Sequence, residues 1–141
     1  MKLHSKYKKS LILFVDDDPD FRSELTPRLQ TCGYEVVEAE DGETGLKKAE
    51  ELTPNLIVTN VKMPKMDGVQ MMLRLKENPK TKAIPVFLLT AFGDPEPKIY
   101  ARDLLDAKKM GFSDYMVKIF PLDDIIERIV GLGRSTRYRK L

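Results

Sequence analysis

At 141 residues, with 42% hydrophobic and 33% charged side chains, the chain has the size and composition of one globular domain and not of a disordered polypeptide. No apolar run approaches the ~20 residues that span a bilayer, and the short run "LILFV" behind the basic start lacks a small-residue cleavage site, so neither a membrane span nor a secretory signal is expected. The net charge of +2 averages two basic ends, with four Lys in residues 1–10 and three Arg and one Lys in residues 134–141, against a middle where the other 16 basic residues face all 22 acids.

Five apolar runs alternate with helix-like segments. "LILFV" (11–15) is the first predicted strand. Asp18 caps a first helix with Pro19 at its opening position, Phe21, Leu25 and Leu29 on its inner stripe and Gly33 at its close. "YEVVEA" (34–39) is a second strand, and Asp41 caps a second helix carrying Leu46 and Ala49 that Pro54 ends. "LIVT" (56–59) is a third strand, followed by a helix from about Gly68 to Asn78. "VFLLT" (86–90) precedes a fourth helix expected from Asp94 and Pro95 to Lys109, with Gly111 as its stop. "YMVKI" (115–119) is a fifth strand, and Leu122, Ile125, Ile126, Ile129 and Val130 give a last helix after Pro121. Met63, Met66, Met71 and Met72 read as core and loop filler.

Strands with near-continuous apolar character are buried on both faces. Alternation with helices then implies an α/β, doubly wound (βα)5 sandwich, a parallel five-stranded sheet of order 2-1-3-4-5 with right-handed crossovers. Ligands of such sheets bind outside the carboxyl ends of the strands, beside the switch point between strands 1 and 3. The residues there are Asp16, Asp17 and Asp18 after strand 1, Asn60 after strand 3, Thr90 at the end of strand 4 and Lys118 near the end of strand 5. Adjacent carboxylates suit a hard cation such as Mg2+, and a hydroxyl with an ammonium suits a phosphoryl group. His4 and Cys32 stand alone and are assigned no chemistry; a single cysteine forms no internal disulfide, in keeping with a reducing cytoplasm.

The motifs "ILFVDDDPDFR", "GYEVVEAEDGETGL", "PNLIVTNVKMPKMDG", "IPVFLLTA" and "GFSDYMVK", in this order, resemble the receiver domain of two-component response regulators, over about residues 10–131. The resemblance implies a flavodoxin-like fold with a basic tail over 1–9, a receiver-like domain over 10–133 and a second basic tail over 134–141. It implies Mg2+ ligation by Asp16, Asp17 and the backbone carbonyl of Lys62, phosphoryl contacts from Thr90 and Lys118, and a switch formed by Thr90 and Tyr115. The phosphoacceptor aspartate falls on Asn60. A carboxylate attacks a phosphoryl donor to give an acyl phosphate, and a neutral carboxamide does not. The lost charge matters as well, since unit charges ~4 Å apart interact by roughly 4 kcal/mol at an effective dielectric of 20, so Mg2+ binding is expected to be weakened.

Three further departures accompany Asn60. Lys62 brings an ammonium towards the acids, where it can pair with Asp16 or Asp17 in place of Mg2+. Ile119, expected trans, follows Lys118 where the family usually has Pro. The segment "FGDPEPKIYARDLLDAKKMGF" is longer than usual and predicts an extra turn or a longer fourth helix. The expectation is an atypical receiver in the cytoplasm, a phosphorylation-independent protein-interaction module that is not an enzyme. The alternative is an ordinary phosphoaccepting receiver carrying an introduced Asp-to-Asn change at Asn60. Implied partners are a histidine kinase, a histidine phosphotransfer protein, or an output protein at the face formed by the fourth helix, fifth strand and last helix, with a homodimer as a further form. "RSTRYRK" (134–140) is too sparse a pattern to predict nucleic-acid binding. Only ten residues follow 131, so the chain reads as a single-domain regulator or a piece of a larger one.

Overall fold

The computed structural model describes residues 9–91 and 108–137, with side chains to residue 134. Five parallel strands, β1 (Leu11–Val15), β2 (Glu35–Ala39), β3 (Leu56–Asn60), β4 (Val86–Thr90) and β5 (Asp114–Val117), lie in the order β2-β1-β3-β4-β5. The expected order is therefore observed. β3 and β4 are buried along their whole length, and β1 nearly so, which is why their sequences do not alternate in polarity. The edge strands β2 and β5 are only partly covered.

Successive strand residues point to opposite faces, and the core divides accordingly. Leu13, Val15, Ile57, Val86 and Leu88 pack with Met71, Met72, Leu75 and Phe112 on one face. Ile12, Phe14, Val58, Phe87 and Leu89 pack with Leu25, Leu29, Ile125 and Ile129 on the other. The first face is covered by α2 (Gly42–Leu52) and α3 (Gly68–Glu77), the second by α1 (Pro19–Thr31) and the last helix, α4 (Leu122–Arg137). Met63 and Met66 pack against the first cluster, so the methionines are filler as expected.

The helix starts follow their sequence signals. Asp18 accepts from the backbone N–H of Asp20 at 3.0 Å, Asp41 from Thr44 at 2.7 Å, and Asp67 with Gln70 forms a reciprocal capping box at α3. α2 ends at Thr53 in the left-handed region (φ 41°), ahead of Pro54. Gly111, at φ +117°, follows the helical residues 108–110 as the predicted stop. The rest of the predicted fourth helix, and the insertion with it, lie outside the described residues.

Four strand boundaries differ from expectation: β3 runs one residue further, to Asn60, β5 opens one residue earlier, at Asp114, and the start of β2 and the end of β5 differ as well. β2 begins at Glu35, because the Tyr34 N–H bonds back to Leu29 O at 3.2 Å and the ladder opens with Glu35 N–H to Ser10 O at 2.9 Å; the Tyr34 side chain is buried against the second cluster, where a Cβ on Gly133 would lie 2.3 Å from its hydroxyl. β5 ends at Val117 and not at residue 119. The ladder continues for one bond, Lys118 N–H to Thr90 O at 2.8 Å, and the chain then turns through Phe120 N–H to Val117 O at 3.2 Å. Ile119 and Phe120 are left 62% and 48% exposed, which the apolar pattern alone does not foresee. No peptide bond among the described residues is cis, so Ile119 is trans as expected.

Candidate functional site

The carboxyl ends of β1 and β3 place Asp16 and Asn60 side by side. Asp16 is fully buried. Its backbone N–H donates to Ala39 O at 3.0 Å, its carbonyl accepts from the Arg22 guanidinium at 2.5 Å, and its Oδ1 accepts from Asp18 N–H at 3.0 Å. Arg22 is itself held by Glu38 at 3.0 Å. Asp16 is thus oriented by β2 and by the first turn of α1, which the short "VDDDPD" connection joins to β1.

The remaining oxygen, Asp16 Oδ2, faces the Lys118 ammonium at 2.7 Å, and no other donor among the described residues reaches it. Burial pushes the Asp16 carboxyl up from its ordinary pKa; the Lys118 charge and the hydrogen bonds only partly offset this. The ammonium also lies 4.4 Å from the centroid of the Phe21 ring, a cation–π contact, and that ring meets Phe14 edge-on at 6.0 Å.

Asn60 is nearly buried and ends β3 in register with Leu89. Its Nδ2 donates to Lys62 O at 3.0 Å and to Asp17 Oδ1 at 3.3 Å. Both partners are acceptors only, so the opposite orientation would set oxygen against oxygen. The following loop is pinned at both ends by glycine. Gly68 donates to Val61 O at 2.7 Å and Gly42 to Met66 O at 3.1 Å, and a Cβ on either would lie 2.2 Å from Asn60 O or 2.1 Å from Met66 O.

Thr90 is buried at the end of β4, its hydroxyl making a long 3.4 Å bond to Ala91 O. The Tyr115 ring is half-buried against the α2–α3 face, and its backbone N–H bonds to Asp114 Oδ1 at 2.8 Å.

Of the residues named from the sequence, contacts join Asp16, Asp17, Asn60, Lys62 O and Lys118, while Thr90 ends β4 and Tyr115 lies within β5. The cation seated on Asp16 is Lys118, and the Lys62 carbonyl accepts from Asn60. Phe21 and Arg22 were not foreseen as site residues. Phe21 reads as a core position from helical spacing, and its place beneath an ammonium 97 residues later leaves no local signal.

Asp16, Asp17 and Lys62 O are the oxygens a Mg2+ ion would need. As arranged they do not fit one, because each faces a nitrogen donor, Lys118 Nζ or Asn60 Nδ2. Among the described residues no group of three or more His, Cys, Asp or Glu is placed to hold a metal.

Comparison with known proteins agrees with this architecture. The response regulator receiver domain family matches residues 12–130. The DNA-binding dual master transcriptional regulator RpaA of Synechocystis sp. is 36% identical over 125 residues, 89% of this chain and 49% of that protein. The alkaline phosphatase synthesis transcriptional regulatory protein PhoP of Bacillus subtilis is 35% identical, over 89% and 49%. The chain thus spans about half the length of these relatives. Among solved structures, the signal receiver domain of a histidine kinase from Syntrophus aciditrophicus superposes with a TM-score of 0.76 at 28% identity, covering 91% of this chain and 92% of that one. The chemotaxis protein CheY4 of Vibrio cholerae gives 0.74 at 28% identity, covering 88% and 98%. With the sheet order, the acid-lined strand ends and the match over most of its length, the chain belongs to the response regulator receiver domain family of two-component signal transduction.

Proposed function

We propose that this receiver signals by protein contact without an aspartyl phosphate at position 60. The observation that carries the reading is the Asn60 carboxamide, donating to Asp17 and Lys62 O where the family's nucleophilic carboxylate belongs. The lone pair of an amide nitrogen is delocalised into its carbonyl, and the neutral group does not form the acyl phosphate. Asp16, Asp17 and Lys62 O then serve as an internally paired acid cluster, while Thr90 and Tyr115 are the candidate switch positions.

Residues 10–133 constitute the interaction module, with basic segments over 1–9 and 134–141. Its partners are a histidine kinase, a phosphotransfer protein, an output protein or a second copy. Exposed Ile119 and Phe120, on the turn after β5, belong to the face that such a partner meets. The protein acts in the cytoplasm; no described helix is long and apolar enough to cross a membrane. Incubation with a small phosphodonor and Mg2+, followed by intact mass, is expected to give no hydroxylamine-sensitive adduct. A stable adduct on another acid overturns the reading.

A second reading is favoured by the residue types kept around Asn60, since Asp16, Asp17, Thr90 and Lys118 match the family's motif, as in an ordinary receiver carrying an introduced Asp-to-Asn change. Asn60→Asp separates the two: recovered phosphorylation supports the second reading, and continued inertness supports the first.

A further inference from the structure

We propose that Lys118 and the Asn60 carboxamide together form an internal substitute for a divalent cation, so that the site holds its shape without metal and resists taking one up. Three oxygens define the space. Asp16 Oδ2 lies 2.7 Å from Lys118 Nζ. Asp17 Oδ1 and Lys62 O share Asn60 Nδ2 at 3.3 and 3.0 Å. A cation placed among them must first displace the ammonium and then turn the amide so that Oδ1 replaces Nδ2.

Both steps oppose uptake. Lys118 is not a loose surface residue: its side chain is 17% exposed, Phe21 lies against it, and the carboxylate it would abandon is fully buried. Removing one partner of such a pair leaves an uncompensated charge, so the ion must supply what the ammonium supplied. The amide has two end states. With Nδ2 inward it satisfies two acceptors; with Oδ1 inward it repels both unless a cation lies between. Asn60 is thus complementary to the metal-free site, whereas an aspartate there would add a third charge to Asp16 and Asp17 and favour an ion.

This inference concerns the metal-free state and rests only on the receiver fold, not on whether phosphate is accepted. The test is thermal unfolding of the full chain in 10 mM MgCl2 against EDTA at matched ionic strength, with Mg2+ titration by calorimetry. The parent chain is expected to shift by less than about 1 °C and to give no binding heat, since an ion that does not bind the native state does not stabilise it. Asn60→Asp, an isosteric change, is expected to make unfolding Mg2+-dependent, with a rise of roughly 4–8 °C for an ion present well above its Kd. Lys118→Met is expected to respond in the same direction. A Mg2+-dependent rise of several degrees in the parent chain overturns the proposal, and so does a parent-like absence of response in Asn60→Asp, which also decides the matter if Lys118→Met does not fold. No phosphodonor or partner is used, so the adduct test and this one fail separately.

Discussion

Asp16 and Asn60, at the ends of β1 and β3, are held on several sides: by Ala39 O, by Asp18 and Arg22, and by a loop pinned at Gly42 and Gly68. Thr90 and Lys118, at the ends of β4 and β5, are tied among the described residues by one backbone bond, Lys118 N–H to Thr90 O at 2.8 Å, by one long hydroxyl bond and by the reach of the Lys118 side chain, and the chain beyond Lys118 turns outward through exposed Ile119 and Phe120. Half of the site is therefore set by backbone and half by the reach of a lysine. The difference shows how the half set by backbone can hold its shape with Asn60 in place of an acid, while the Lys118 side chain takes the buried Asp16 as its partner.

Cutting the Lys118–Asp16 link between the halves is expected to have the largest effect. Lys118→Met leaves the Asp16 charge buried alone, and losing one partner of a buried pair costs about 3 kcal/mol near neutral pH, measured by urea unfolding. The sign with pH follows from the raised Asp16 pKa. A carboxyl whose folded pKa exceeds its unfolded value binds protons more tightly when folded. Its penalty is full above the folded pKa and fades as pH falls towards the unfolded value. The gap between variant and parent should therefore narrow on acidification; a gap independent of pH would mean that Asp16 is not the group left unpaired.

Strain on the rigid half comes next. Gly68→Ala puts a Cβ 2.2 Å from Asn60 O, a backbone atom that cannot swing aside, and overpacking of this kind costs about 1–3 kcal/mol. Its amide spectrum should change around Asn60 and Lys62 more than around Lys118. Phe21→Leu tests the flexible half more gently: it keeps an apolar side chain but removes the ring beneath the ammonium, for a loss of about 1 kcal/mol. The smallest effect is expected from Arg128→Ala. Arg128 pairs bidentately with Asp114 at the start of β5, at 2.7 and 3.1 Å, but its side chain is 46% exposed. Such pairs contribute about 0.5 kcal/mol, which added salt should erase.

Legibility followed the same division. The apolar runs revealed the strands because β1, β3 and β4 are covered on both faces, and the Asp caps revealed the helix starts because the signal lies within three residues. Asn60 was legible as the altered position for the same reason: its motif is contiguous. The end of β5 was not, since Val117, Lys118 and Ile119 continue a strand-like pattern and no Gly or Pro marks the turn before Pro121. Least legible was the Lys118–Asp16 pair. β1 and β5 are separated by two strands in the sheet, and only the fold shows which of several lysines reaches the acid.

A carboxylate reads the same from either oxygen; a carboxamide has direction and carries its own protons. Those on Asn60 Nδ2 are engaged by Asp17 and by the Lys62 carbonyl. They should exchange with water more slowly than the side-chain amide of exposed Gln70 and give a resolved pair of resonances at the centre of the site. The residue that silences the chemistry thereby installs a spectroscopic reporter that an aspartate could not supply, sensitive to any ion, phosphate analogue or docked partner that turns the amide.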